Sequence, residues 1–196
     1  MNRRSAKAGR VVIEEIHSRV LRGNPLRDPA TRKIPVYLPP SYYNNSSARY
    51  PVIYCLAGFT SSGMSWFNFQ AWVPTMDQRM DALIGKGMPE MILVFPDCFT
   101  RYGGSQYLDS PAIGSYRTFL TDELIPLIDR KYRTKGRGVM GKSSGGYGAI
   151  TLAMRRPNLL SAVACHSGDM YFEYCYLPEF PLAVRGLERA GGIINY

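Results

Sequence analysis

The chain alternates short apolar runs with longer polar or amphipathic stretches, and each run has a length that selects its structure. Val11-Val12-Ile13-Glu14-Glu15-Ile16-His17-Ser18 is rich in β-branched residues and predicts a first strand. Turn residues from Gly23 to Pro29 follow, and Lys33–Leu38 predicts a second strand that returns antiparallel to the first. Val52–Leu56 and Met91–Pro96 are continuous apolar runs, the pattern of central strands covered on both faces. Tyr116, Phe119, Leu120, Leu124, Leu127 and Ile128 then recur at helical spacing, with Ser115 placed as N-cap and Pro126 predicting a kink. Gly138–Met140 predicts a short strand, followed by a small-residue helix to about Arg156 that Pro157 stops, and Leu160–Cys165 a further strand. Strands alternating with helices at these intervals predict a three-layer α/β/α sandwich. Its sheet is mainly parallel with an antiparallel N-terminal pair.

Composition narrows the picture. At 196 residues and 45% hydrophobic content, one domain with a real core is expected: a basic tail over residues 1–10 and a single domain over 11–196. No apolar run approaches the ~20 residues of a membrane span, and Met1–Arg10 lacks the apolar segment of a secretory signal, so a cytoplasmic protein without membrane contact is expected. Cys55, Cys98, Cys165 and Cys175 form no C-x-x-C pair and read as small buried residues, with no metal site. The formal charge of +9 is concentrated in residues 1–33, where nine Lys or Arg face three acids, and in the Arg130–Lys142 segment. No nucleic-acid motif accompanies that charge, so it reads as a solvated basic surface rather than a nucleic-acid site.

The candidate chemistry lies in Gly141-Lys142-Ser143-Ser144-Gly145-Gly146-Tyr147-Gly148-Ala149, a G-x-S-x-G between a strand and a helix. A serine on so sharp a turn has strained backbone angles, and the residues two before and two after it must lack side chains. Gly141 and Gly145 meet that need. Ser143 becomes the candidate nucleophile, and the N–H of Ser144, in the first helical turn, a candidate oxyanion donor. Gly136–Ser143 also fits the phosphate loop G-x-x-x-x-G-K-[ST], but the residues before it are charged where a phosphate loop follows a buried strand. The second oxyanion donor is assigned to the N–H of Phe59, in the glycine-bearing loop Ala57–Gly63 after an early strand. Trp66, Phe67, Phe69 and Trp72 follow, at a spacing that suits either an acyl-pocket wall or core. Phe99–Tyr107 reads as a pocket rim, and His17 as strand packing.

Taken together, Leu56–Phe59, Gly103-Gly104-Ser105-Gln106-Tyr107, Glu123-Leu124-Ile125-Pro126 and the Gly141–Ala149 elbow resemble the esterase D and enterochelin-esterase-like branch of the α/β-hydrolases, which also resembles the mycolyltransferases. The resemblance covers nearly the whole chain from Val11. It implies Ser143 as nucleophile, with Phe59 and Ser144 giving the oxyanion N–H groups. Members carry the triad's acid and histidine on loops after later strands. Against that pattern the chain is expected to be shortened, lacking the C-terminal strands, and His166 is the only histidine after Ser143. His166 therefore stands as a candidate base or pocket residue, with Asp169 three residues later. The uncovered sheet edge suggests self-association. The expected function is a serine carboxylic-ester hydrolase acting through an acyl-enzyme on a small-molecule ester or thioester, without cofactor and impaired by the missing acid and histidine. An acyltransferase of the same fold and a non-catalytic binding protein are the alternatives.

Overall fold

The computed structural model describes residues 8–192. β1 (Arg10–His17) and β2 (Thr31–Leu38) pair antiparallel, from Arg10 opposite Leu38 to His17 opposite Thr31. β3 (Tyr50–Leu56) and β4 (Ile92–Val94) are the apolar runs, and both are largely buried because helices cover the two sheet faces. β5 (Asp109–Ser110) and β6 (Gly114–Ser115) form a separate small ribbon. β7 (Thr134–Lys142) and β8 (Ala162–His166) complete a six-stranded sheet of order β1-β2-β4-β3-β7-β8. β3 is parallel to β4 and to β7, and β7 to β8, while β2 meets β4 antiparallel. β7 spans the whole of Gly136–Lys142, so the phosphate-loop spelling falls on extended strand and not on a loop.

α1 (Met76–Gly85) lies on one face of the sheet, where Met80 packs with Tyr37, Cys55, Leu93 and Phe95. The opposite face holds the larger cluster, built from Ile34, Val36, Val52, Tyr54, Leu56, Ile92 and Val94. Against it lie α2 (Tyr116–Thr118), a π turn over Phe119–Leu124, α3 (Ile125–Lys131) and α4 (Ser144–Arg155). Alternate residues of each central strand feed the two clusters, which is the period-two pattern of a sheet buried on both sides.

The kink expected at Pro126 takes the form of that π turn. Pro126 sits at the start of α3, directly after that π turn, whose wider spacing accommodates a residue without an N–H. The wider turn rotates the buried face, so Ile125 joins Tyr116, Phe119, Leu120, Leu124 and Ile128 in the core while Leu127 is only half-buried. Ser115 makes no side-chain cap. The Asp109 carboxylate does the work instead, accepting from the Thr118 N–H at 2.9 Å and the Thr118 hydroxyl at 2.9 Å. Glu123 ties the helix to the β1–β2 connection, accepting from the Ser18 hydroxyl and from the Arg19 N–H at 2.9 Å.

Two cysteines depart from expectation. Cys55 and Cys98 are buried, but Cys165 and Cys175 are exposed, because every residue of β8 is exposed at the sheet edge and α5 (Phe172–Cys175) and α6 (Phe180–Arg189) bury none of their own residues. Residues 1–7 of the expected tail lie outside the described residues; Gly9 donates to Asp81 at 2.9 Å and Arg10 already opens β1. Among the described residues no helix is long and apolar enough to cross a membrane, and no group of three or more His, Cys, Asp or Glu is placed to hold a metal ion.

Several buried tyrosines close the packing with paired hydroxyls. Tyr37 donates to Asp81 at 2.7 Å, and Tyr132 donates to Glu14. Burial, reinforced by these carboxylates, pushes both phenols well above their ordinary range, and burial pushes Tyr116 up to about 12. A phenol whose pKa is raised on folding stabilises the fold fully below its unfolded value of about 10, and that stabilisation is lost as pH rises beyond it. Alkaline titration is therefore expected to show tyrosinate absorbance rising together with loss of far-UV circular dichroism above about pH 10. The exposed tyrosines ionise in the folded chain, so the assignment is refuted only if all 14 tyrosines ionise near pH 10 while the chain stays folded.

Candidate active site

In a doubly wound sheet the ligand crevice opens at the carboxyl ends of strands where the connections diverge to opposite faces. Here that point lies between β3, whose connection leads to α1 on one face, and β7, which leads to α4 on the other. The residues at those two ends are Ala57-Gly58-Phe59 and Lys142-Ser143. They adjoin each other: a Cβ on Gly58 would lie 3.6 Å from the Ser143 Cβ.

Ser143 has φ 56° and ψ −125°, a conformation costly for a side-chain-bearing residue. The surroundings leave no alternative. Its N–H donates to the His166 carbonyl at 3.0 Å and its carbonyl accepts from the Tyr147 N–H at 3.0 Å, so the turn is pinned on both sides. A Cβ on Gly141 would lie 2.1 Å from the Gly145 carbonyl oxygen, and one on Gly145 would lie 2.2 Å from the Leu56 carbonyl oxygen. The elbow thus closes only with glycine at both positions.

The Ser144 N–H opens α4, where no carbonyl of an earlier helical turn is available to it. The Phe59 N–H has no backbone or side-chain acceptor among the described residues. Its loop is held from two directions. Thr60 donates to the Gly103 carbonyl at 2.7 Å, and the buried Tyr107 hydroxyl donates to the Ala57 carbonyl at 2.7 Å. Phe59 itself lies over Gly103 and Gly104, where added Cβ atoms would come within 3.0 and 3.1 Å of its ring. Tyr107 in turn needs Gly148, since a Cβ there would lie 2.5 Å from its ring.

A groove of about 460 Å³ opens beside Ser143, lined by Ala57, Gly58, Phe59, Ser61, Ser65, Trp66 and Lys142. Of the four aromatic residues singled out in sequence, Trp66 reaches the groove and also packs on Phe95. Phe67 is core, with its ring 4.9 Å from that of Phe95. Phe69 and Trp72 are 92% and 101% exposed, carried outward by a tight turn in which Trp72 has φ 64°.

The two histidines are far apart in the sheet. His17 lies on the opposite edge strand, its Nδ1 2.7 Å from the Thr31 hydroxyl. His166 ends β8 beside Lys142, and its carbonyl supports Ser143, but its ring makes no hydrogen bond among the described residues. The Ser143 hydroxyl instead donates to Asp169 Oδ1 at 3.1 Å. Asp169 Oδ2 accepts from the Tyr176 hydroxyl at 3.0 Å, and Gln106 donates to the Tyr176 oxygen. Burial, and after it the bond to Asp169, hold the Tyr176 phenol well above its usual range. Sequence reasoning noticed Asp169 only as a neighbour of His166 and passed over Tyr176. Gln106 was visible as part of a pocket rim and of a segment that carries the family resemblance, with no role of its own.

The chain is similar to known proteins. A structure described as a ferulic acid esterase superposes with a TM-score of 0.70 at 31% identity, over 82% of this chain and 60% of its own. An endo-1,4-beta-xylanase/feruloyl esterase of Xylanibacter ruminicola is 30% identical over 151 residues, which are 69% of this chain and 19% of that protein. The uncharacterized protein YbbA of Bacillus subtilis is 24% identical over 164 residues, or 72% of this chain and 58% of that one. The chain therefore spans under two thirds of the length of these relatives. The model of the family described as "Putative esterase" matches residues 29–175, and the chain accordingly belongs to that esterase family, within the α/β-hydrolase superfamily.

Proposed function

We propose that this chain carries a serine ester-hydrolase site that works through an acyl-enzyme on Ser143. The observation that carries the reading is the strained Ser143 at the sheet's divergence point, sharing a groove with Phe59, whose N–H has no acceptor among the described residues. Ser143 attacks the carbonyl carbon of a small-molecule carboxylic ester. The Phe59 and Ser144 N–H groups receive the charge that gathers on the carbonyl oxygen. Collapse expels the alcohol and leaves an ester on Ser143; water then releases the acid. The groove between Phe59 and Trp66 takes the acyl group, and its aromatic walls suit the aromatic acids named in the feruloyl and ferulic acid esterase relatives. Tyr107 maintains the geometry by fixing the Ala57 carbonyl one step before the proposed donor loop.

Hydrolysis of a p-nitrophenyl ester is expected from the wild type and to fall about 10³-fold or more in Ser143→Ala. Equal rates in the two proteins would remove Ser143 from the role. A folded wild type that binds the ester without turning it over would point to a binding protein. Tyr107→Phe leaves the Ala57 carbonyl buried and unpaired, and is expected to cost about 1–3 kcal/mol of stability in denaturant unfolding. In the same variant kcat should drop about 10-fold with KM little changed, because only the charge-stabilising loop is loosened.

A further inference from the structure

Three of the basic residues between Arg130 and Lys142 are held by neighbours. Lys131 pairs with Glu14, Arg137 pairs with Asp129 at 2.6 Å, and Arg133 donates to the Ala48 carbonyl at 3.0 Å while lying over the Tyr42 ring. Lys142 differs from them in place and in company. It is the last residue of β7, exposed where Gly141 is buried, and it lines the groove one residue before Ser143. Its ammonium has neither an ion pair nor a hydrogen-bond acceptor among the described residues. The strand that carries it is continuous extended chain, so no phosphate loop accounts for a lysine at this position.

The groove supplies nothing to balance that charge. No carboxylate lines it. Asp169 lies outside the lining, and its two oxygens accept from the Ser143 hydroxyl at 3.1 Å and the Tyr176 hydroxyl at 3.0 Å. The adjoining cavity, which shares Ser65, sets Asp28 and Asp97 against Arg32 and Arg101 and adds no net charge. What the groove adds is hydroxyl groups. Ser65 Oγ accepts from the Ser62 N–H at 3.0 Å and keeps its own proton to donate, and the Ser61 hydroxyl has no partner among the described residues. One unbalanced cation and two hydroxyl donors thus stand around the faces of Phe59 and Trp66. A cation beside apolar walls acts on an anion more strongly than it does in open water.

We propose that Lys142 makes this site select esters whose acyl group is an aromatic ring bearing a carboxylate, an inference that rests on the groove being the acyl site beside Ser143. The ring lies between Phe59 and Trp66. The carboxylate accepts from the Lys142 ammonium and from the Ser61 and Ser65 hydroxyls. Lys142 takes no part in bond making. It acts on binding, equally before and during the attack by Ser143, and therefore on KM rather than kcat. Because Lys142 is exposed, salt weakens its effect.

The test compares two esters of one shape, monomethyl terephthalate with its carboxylate and methyl 4-methylbenzoate without charge. Their dissociation constants are measured by calorimetry at low ionic strength on the full chain carrying Ser143→Ala, so that binding is read without turnover. Lys142→Met, Lys142→Glu and Lys142→Arg are added in turn, with Lys135→Met at the other end of β7 as control, each shown by circular dichroism to be folded. The anionic ester is expected to bind about 5-fold more tightly, the scale of one exposed charge pair. That preference should vanish in Lys142→Met, reverse in Lys142→Glu, persist in Lys142→Arg and Lys135→Met, and shrink in about 0.5 M sodium chloride. A preference of about 3-fold or more that Lys142→Met and Lys142→Glu both remove supports the proposal. A smaller preference, one that survives Lys142→Glu, or one lost equally in Lys135→Met overturns it. Turnover of both esters by the protein with Ser143 intact is followed separately. Preference without turnover removes the hydrolase reading alone, and turnover without preference removes the proposal alone.

Discussion

Three pieces of backbone meet at the elbow with no side chain between them. The Gly141 Cα faces the Gly145 carbonyl, and Gly145 lies beneath the Leu56 and Ala57 carbonyls, so the end of β3, the end of β7 and the first turn of α4 are in direct contact. Glycine gives up more conformational freedom on folding than any other residue, and Ser143 is held in a strained conformation besides. Such an arrangement survives only in rigid surroundings, which here are two apolar layers on opposite sheet faces. The groove, the proposed oxyanion donors and the Asp169 contact all follow from how closely these backbones approach.

That central contact was legible in the sequence because its steric requirement is local. Glycines two residues either side of a serine, between an apolar strand and a small-residue helix, specify the elbow in a single window. The apolar runs that became β3 and β4 were legible for the same reason, as was the antiparallel opening pair. What lay beyond the window was lost. Gly146 and Gly148 looked like a continuation of the motif, yet one makes room for Gly168 and the other for the Tyr107 ring, both distant along the chain. Asp169 reaches Ser143 only because Ser167 adopts a left-handed conformation, which no glycine announces. Ser115 had the right residue type for a cap, but the Asp109 carboxylate, brought in by the β5–β6 ribbon, took the Thr118 N–H. Phe69 and Trp72 had core-like spacing, and a tight turn sent them outward.

Tyrosine has a structural part that hydropathy alone undervalues. The chain has 14, and several place a buried ring in the core with the hydroxyl aimed at one defined acceptor. Tyr37 finds Asp81, Tyr132 finds Glu14 and Tyr107 finds the Ala57 carbonyl, while outside the core the half-buried Tyr176 finds Asp169. Phenylalanine would fill the same volumes without fixing orientation. Glu123 has an equivalent effect from the helical side, joining the π turn to the β1–β2 connection. The polar contacts thus fall at the junctions between layers, where apolar packing alone leaves relative position loosely set.

Phe59 joins two duties in one residue. Its neighbour Gly58 adjoins the serine, its ring rests on Gly103 and Gly104, and the Thr60 N–H next to it is bonded to the Gly103 carbonyl. The Gly103–Gly104 turn and the loop that carries the proposed oxyanion donor are therefore a single mechanical unit. The two cannot be moved separately: any remodelling of the Thr100–Gly104 turn displaces the Phe59 ring, which is a wall of the groove beside Ser143. Across descendants of this fold, substitutions at those two glycines and at position 59 should therefore be inherited as a set.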